Sequence, residues 1–305
     1  MNTIIYELPP ALFNRAAPVF APAWCDKPFM DAVLEGKDDG RIFVDRVEQP
    51  TAALMTRSYE YFVGGEPVGA LRQFIQDTPA EPDIFQHIYG LVAVSDSWQI
   101  ALLQDLGERV EIVPRRNFIW SSADVSGWRE HIPAGMTVLP LDSALAARVN
   151  TEIYHYAPLL TYFWGDTDIE TRGQFGYCAL VGDTLAGVCH SVTVSATQVN
   201  LGVETAEAFR RQGVGLTVCQ AAIEAALQRG LTPTWDADGN NLPSVGLARR
   251  LGFVEDKPFS ELATPNRVKW RLSEGLWTAS TEENGVTMWR RSYEITQIKD
   301  NANGS

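Results

Sequence analysis

Arg210, Gly213 and Gly215 stand in the stretch RRQGVGLTVCQ, between an alternating apolar run and a long helical pattern. A helix start needs only one capping oxygen, commonly from Ser, Thr, Asp or Asn, so this stretch carries more glycine and positive charge than capping requires. The first N–H groups of a helix have no intrahelical partner, the helix dipole is positive there, and glycine lets the main chain come close to a ligand. The chemistry expected is the cradling of a diphosphate. A P-loop is excluded because it needs GxxxxGK followed by Ser or Thr. The GxGxxG dinucleotide fingerprint also fails, since Leu216, Thr217 and Val218 follow Gly215. What remains is RxxGxG, and its competing reading is a tight turn with close strand–helix packing.

The elements that must position this loop are legible around it. Thr197 to Thr205 alternates as a strand, and Leu216, Cys219, Ile223, Ala226 and Leu227 fall at helical spacing between Gly215 and Arg229, with Gly230 as the stop. The loop is therefore a strand-to-helix connection. Upstream, Met136 to Asp142 reads as a strand, Ser143 to Tyr154 as a helix capped by Ser143, and Phe175 to Val194 as two strands around the turn Gly182-Asp183. Downstream come a strand TPTWDA, a turn DGNN, a helix from about Pro243 to Leu251, and a last strand VTMWRRSYEI.

The first half repeats this plan weakly. Gly40 to Met55 parallels Gly176 to Ser191 as a hairpin, and Leu102 to Ile112 parallels Leu247 to Lys257 as a helix end. The counterpart of the glycine loop is FVGGEPVGALRQF, Phe62 to Phe74, with Glu66 where the second half has Arg211 or Gln212. A carboxylate there repels an anion, so the first module is expected to have lost the site. The turn-rich stretch between Trp120 and Gly135 is the expected boundary.

Composition narrows the partners. The 305 residues are 45% hydrophobic, enough for two domains of ordinary size. The net charge of −13 is shared by both halves, −8 through Gly135 and −5 beyond it, which argues against nucleic acid and anionic membranes as partners. An acidic surface can instead concentrate a cationic substrate, though it also simply maintains solubility. Cys25, Cys178, Cys189 and Cys219 form no CxxC pair and the four histidines no metal-ligand spacing, so no metal site is expected. No apolar run of about eighteen residues and no secretory start is present, so a cytoplasmic location is expected.

Beyond the glycine loop, NNLPSVGLARRLGF carries a second motif. Together the two resemble the GNAT superfamily of N-acetyltransferases. Its pyrophosphate loop reads (Q/R)xxGx(G/A) between the fourth strand and third helix. Its second motif places an Asn, a small residue three positions on, and a helix ending in LGF after the fifth strand. Asn241, Ser244, Leu247, Leu251, Gly252 and Phe253 fall in register. The resemblance covers about Met136 to Ile295. It implies an α/β fold with a mixed sheet, the GNAT acyl-CoA N-acyltransferase fold, in two tandem GNAT-like modules with the N-terminal one degenerate. The divisions expected are 1–130, 136–295 for the acetyltransferase domain, and a disordered tail over 296–305.

The resemblance implies acetyl-CoA as cosubstrate, its pantetheine arm lying between splayed fourth and fifth strands. Val203 to Thr205 would border the thioester, and Arg210, Arg211, Gln212, Gly213, Val214 and Gly215 would hold the diphosphate. Asn241 and Ser244 would reach the pantetheine arm, with helix capping as the alternative role for both.

Acetyl transfer from a thioester to an amine needs a neutral amine, a polarised carbonyl and a proton for the leaving thiolate. At pH 7 an alkylamine of pKa near 10 is only about 0.1% neutral, so a base is useful. Glu204, beside the expected thioester, is the leading candidate, although strand alternation equally allows it to face solvent or bond to the loop. Asp236 and Asp238 are alternatives that also suit a turn, and His190 reads as a structural histidine. Many GNAT proteins protonate the thiolate with a Tyr at the position of Ala248, so that acid is missing; Ser244, Cys219, Tyr154, Tyr156, Tyr162 or water could replace it. Tyr156, Tyr162, Phe163 and Trp164 could line an amine site, with Asp166 and Asp168 drawing cations, or else pack the two modules together. The function expected is N-acetylation of a primary amine on a small, cationic acceptor. The alternative is a non-catalytic acyl-CoA sensor. Oligomeric state is not legible.

Overall fold

A computed structural model describes residues 4–57, 60–77, 80–82, 90–121, 125–154, 159–165, 173–263, 268–270, 277–282 and 284–291. The first half supplies β1 (Ile4–Leu8), α1 (Ala17–Phe20), α2 (Lys27–Leu34), β2 (Arg41–Val44), β3 (Ala52–Arg57), β4 (Glu60–Gly65), α3 (Gly69–Gln76), β5 (Ala80–Pro82), β6 (Gly90–Ala93), α4 (Asp96–Leu106) and β7 (Glu111–Trp120). The second half supplies β8 (Met136–Pro140), α5 (Ser143–Arg148), α6 (Leu159–Trp164), β9 (Gly176–Val181), β10 (Thr184–Val194), β11 (Gln198–Thr205), α7 (Val214–Gln228), β12 (Thr232–Asp238), α8 (Leu242–Arg250) and β13 (Phe253–Glu255). Then follow β14 (Phe259–Ala263), β15 (Val268–Trp270), β16 (Trp277–Thr281) and β17 (Thr287–Arg291).

The duplication is present in the order of elements. From β1 to α4 and from β8 to α8 the chain runs strand, two helices, three antiparallel strands, helix, strand, helix, leaving aside the short β5. In each half the helix after the hairpin joins a parallel pair, β4 with β6 and β11 with β12. The main sheet is ordered β16-β17-β1-β2-β3-β4-β6-β14-β7-β12-β11-β10-β9-β8. Two strands cross the seam: β7 pairs with β12 of the second half, and β14 pairs with β6 of the first. The stretch between Trp120 and Gly135 joins the halves along the chain, while the sheet continues across them. The last strand, β17, pairs with β1.

Side-chain alternation sends neighbouring strand residues to opposite faces. Phe43, Leu54 and Val63 pack with Leu71, Phe74 and Trp98 under α3 and α4. Ile42, Met55 and Phe62 face the other way, into a core shared with Phe29 of α2 and with Ile153, Phe163 and Trp164 of the second half. The third core lies under α7 and α8. Asp142, not Ser143, caps α5, its Oδ1 accepting from the Leu145 N–H at 2.7 Å. The helix expected through Tyr154 gives way after Arg148 to a π-turn over Val149–Ile153.

The two parallel pairs differ. β4 stays beside β6 through Val63 and Ala93, and the Val94 N–H then donates to the Val63 carbonyl at 2.8 Å. The fully buried Trp98 indole donates to the next accessible carbonyl, Gly64 O, at 3.0 Å. The first half thus has no gap between its parallel strands, and α4 is tied to the end of β4. No described helix is long and apolar enough to cross a membrane. Replacing Trp98 by Phe removes the indole's hydrogen bond to the buried Gly64 carbonyl, and a loss of about 0.5–1.5 kcal/mol is expected in denaturant unfolding; an unchanged midpoint would show that the indole does not hold the pair together.

Candidate active site

In the second half the corresponding gap is open. β11 and β12 pair only at Gln198–Thr232, Val199–Pro233 and Asn200–Thr234. Beyond that point β11 remains held by β10 as far as Thr205–Gly187, and β12 by β7 as far as Asp238–Arg115. The divergence coincides with a bulge: β10 carries one extra residue, Val192, between the partners of Leu201 and Asn200. A bulge bends the strand and strengthens its twist, so β11 swings away from β12 there. Side chains seal the closed end. Asn200 Nδ2 donates to Asp236 Oδ1 at 3.1 Å, and the Thr234 hydroxyl donates to the Val199 carbonyl at 3.3 Å.

The opening leads into a cavity of about 280 Å³. Val203, Glu204, Asn241 and Ser244 line it, and so do Glu60 and Phe29 of the first half. Gly213, at φ +87°, turns the chain into α7, and no side chain caps the helix. Arg211 is also left-handed, at φ +62°, an uncommon state for a residue with a side chain. A Cβ on Gly215 would lie 3.1 Å from Thr205 Oγ1, so the helix start fits closely against the end of β11.

The cofactor residues expected from the sequence occupy this loop and the cleft wall. Arg210 Nε donates to the Thr205 carbonyl at 3.2 Å, and Gln212 Nε2 to the Ala208 carbonyl at 2.9 Å. Val214 is buried, so only its main chain is available to a ligand. Asn241 is the N-cap of α8, its Oδ1 accepting from the Ser244 N–H at 3.2 Å, which leaves the amide nitrogen as a donor. Ser244 Oγ accepts from the Trp235 indole at 3.0 Å and keeps its own hydrogen.

The expected catalytic residue, Glu204, lines the cleft, with its carboxylate tied to the loop. Its Oε1 accepts from the Thr205 N–H at 3.1 Å and lies 3.5 Å from Arg210 Nη2. Asp238 accepts from the Asn240 N–H at 2.8 Å in the turn. Asp236 is bonded to Arg115 and Asn200. His190 is almost fully buried between Tyr154, Phe163 and Trp164, and burial pushes its pKa down to about 4. His190 Nδ1 faces the Ser191 carbonyl at 3.0 Å, which can only accept, so Nε2 is bare and the Tyr154 hydroxyl donates to it at 3.0 Å. Ala248 is buried in the core, and so is Cys219, whose thiol burial raises well above its usual range. Tyr156, Asp166 and Asp168, together with 296–305, lie outside the described residues, as does the side chain of Tyr162.

A group of charges missed by the sequence reading lies behind one end of the cleft, which Glu60, Arg115 and Asp236 of the group line. Arg57, fully buried, joins the halves: its Nε meets Asp38 Oδ2 at 2.6 Å and its Nη2 donates to the Val192 carbonyl at 3.0 Å. Arg115 reaches Asp236 and lies 3.5 Å from Glu261. Glu60 and Asp26 complete the group. Burial, reinforced by neighbouring carboxylates, raises Glu60 to about 7 and Asp26 to about 8. Nothing in the local pattern YEYFVGG marks Glu60, because its surroundings come from distant strands. Among the described residues no set of three or more His, Cys, Asp or Glu is placed to hold a metal ion.

A splayed parallel pair and an Asn-capped helix line one cavity, and an uncapped glycine-led helix start packs against the end of β11 beside it, an arrangement of the GNAT type. A GNAT acetyltransferase family model matches residues 18–262, and the chain belongs to that family. YdfB, an uncharacterized N-acetyltransferase of Bacillus subtilis (strain 168), is 22% identical over 253 residues, 82% of this chain and 95% of its own length. A GCN5-related N-acetyltransferase-like protein from Streptococcus suis 89/1591 superimposes with a TM-score of 0.65 at 22% identity, covering 86% of this chain and 99% of the other. A tandem GNAT protein from the clavulanic acid biosynthesis pathway reaches 0.53 at 14% identity, over 88% and 97%. The protein is a GNAT acetyltransferase, and enzymes of this family use acetyl-CoA as cosubstrate.

The two raised carboxyls set a direction for stability. Protons kept by folded Glu60 and Asp26 are released by the unfolded chain at lower pH, so their contribution is full below about pH 4 and is lost as pH rises through 7 to 8. Glu60→Gln removes one of these titrations. The variant is expected to exceed the wild type in stability at pH 8 by on the order of 1–3 kcal/mol, with the gain vanishing near pH 4. Denaturant unfolding at the two pH values checks this.

Proposed function

We propose that the enzyme transfers the acetyl group of acetyl-CoA to the primary amine of a small cationic acceptor by direct attack on the thioester. The diphosphate rests on the uncapped start of α7, with Arg210 and Arg211 nearby. The pantetheine arm lies along the unpaired inner edge of β11, where main-chain groups from Leu201 onward have no strand opposite them on the β12 side. A β11 N–H near the thioester would polarise its carbonyl. The single observation carrying this reading is the open inner edge of β11 along the cavity, with the glycine-led helix start packed against the end of that same strand, Gly215 beside Thr205.

The acceptor class follows from charge. Asp26, Asp38, Glu60, Asp236 and Glu261 gather around Arg57 and Arg115, so carboxylates outnumber guanidinium groups. Glu60, Asp236 and Arg115 line the cleft, and a cation beside them meets a group whose carboxylates exceed its guanidinium groups even with Asp26 and Glu60 protonated, in a partly dry site where attraction is stronger than in water. No dedicated acid is assigned. Tyr154 directs its hydrogen to His190, Cys219 and Ala248 are in the core, and the low basicity of a thiolate lets it leave with a proton from the amine or water.

Thiol release from acetyl-CoA in the presence of polyamines, aminoglycosides and amino acids tests the acceptor class, and the cationic members are expected to react fastest. Gly215→Val tests the donor site. Its side chain would press on Thr205 and block the approach, so acetyl-CoA binding is expected to weaken at least about tenfold, roughly 1.4 kcal/mol. Unchanged affinity in a folded variant would sink the diphosphate assignment.

A further inference from the structure

We propose that Glu60, contributed by the first half of the chain, takes the proton from the acceptor ammonium; this rests on the amine acetylation proposed above. Four carboxylates line the cleft among the described residues: Glu60, Glu204, Asp236 and Asp238. Three are occupied. Glu204 is held by Thr205 and Arg210, Asp236 by Arg115 and Asn200, and Asp238 by the turn at Asn240. Glu60 Oε2 is buried with no hydrogen-bond partner, and its nearest cation, Arg57 Nη1, stands 3.6 Å away. A buried carboxylate oxygen without a donor is costly unless a ligand supplies one.

The groups facing Glu60 come from several elements. Arg57 on β3 and Arg115 on β7 favour its charged form, while Asp38 before β2, Glu261 on β14 and Asp26 before α2 oppose it. Glu261 is seated over Gly90 of β6, where any Cβ would collide with its carboxylate. Burial outweighs the rest, and a carboxyl poised near neutrality is matched to proton removal at neutral pH. Phe29, Tyr154 and Phe163 line the same cleft and give the acceptor's carbon chain an apolar wall.

The step balances. The Glu60 carboxylate accepts one proton from the ammonium and becomes a carboxylic acid, leaving a neutral amine. The amine lone pair attacks the thioester carbonyl carbon, the C–N bond forms, and the C–S bond breaks with its electrons on sulfur. The second amine proton passes to the thiolate, and Glu60 returns its proton to solvent. The products are the amide, free coenzyme A and one proton.

The test is the pH profile of kcat/KM for the best amine of the panel, in wild type, Glu60→Gln and Glu60→Asp, with acetyl-CoA affinity measured alongside. Glu60→Gln is expected to lower kcat about 100-fold or more, to abolish the rising limb near pH 7, and to leave acetyl-CoA affinity unchanged. Glu60→Asp, one methylene shorter, should keep the limb at a reduced rate. Retention of rate and limb in Glu60→Gln, or loss of the limb in Glu204→Gln instead, would overturn the assignment while leaving amine acetylation standing. Absence of thiol release with every amine in the wild type would overturn the acceptor reading, and the role of Glu60 with it.

Discussion

The separation of β11 from β12 beyond Asn200 and Thr234 is the constraint on which the rest depends. Two parallel strands that stop pairing inside a sheet leave a row of main-chain donors and acceptors without partners, which is tolerable only where a ligand or water meets them. Each strand must also be anchored on its outer side, or it becomes a frayed edge. β10 anchors β11, and its extra residue at Val192 supplies the bend. β12 is anchored by β7, a strand from the first half of the chain. The site is therefore built by both halves, even though the glycine loop belongs to one.

The same comparison explains how the first half diverged. Its hairpin runs from Ala52–Gly65 to Arg57–Glu60 with no register shift, so β4 is never bent away from β6. The Val63 carbonyl on the β6 side is taken by the Val94 N–H, and the Trp98 indole ties α4 to the Gly64 carbonyl at the end of β4. Glu66 stands ahead of α3, and a carboxylate there does not suit a diphosphate. What this half retained is its sheet. Through β7, Arg57 and Glu60 it now forms one wall of the neighbouring cleft.

Much of this was legible in local sequence. A glycine-led helix start, a strand before it and an Asn before the next helix depend on residues close in the chain, and α7 and α8 begin within a residue of where their patterns place them. The cap of α5 shows the limit of such reading. Asp142 and Ser143 are adjacent capping residues, and only the backbone geometry decides that the aspartate oxygen reaches Leu145. The orientation of Glu204 was undecidable for a similar reason, since strand alternation fixes a face only after the sheet's neighbours are known. The charge group was illegible altogether. Arg57 meets Val192, 135 residues away, and Arg115 meets Asp236, 121 residues away. A carboxylate on an apolar strand gives no periodic sign of which distant strands will cover it.

The buried charge excess also gives the proposed reaction a built-in coupling. Near neutral pH, burial and mutual repulsion keep Glu60 and Asp26 partly protonated. An ammonium entering the cleft favours the ionised carboxylate, so binding of the cation and loss of the carboxyl proton promote one another. The arriving substrate thus prepares its own base, whereas in the empty site protonation relieves the repulsion that would otherwise strain the seam between the halves. A single strong ion pair at Glu60 would remove that poise: it would hold the carboxylate ionised but weaken its capacity to take a proton. The 3.6 Å separation from Arg57, whose Nε and Nη2 are directed to Asp38 and Val192, keeps the carboxylate between these limits.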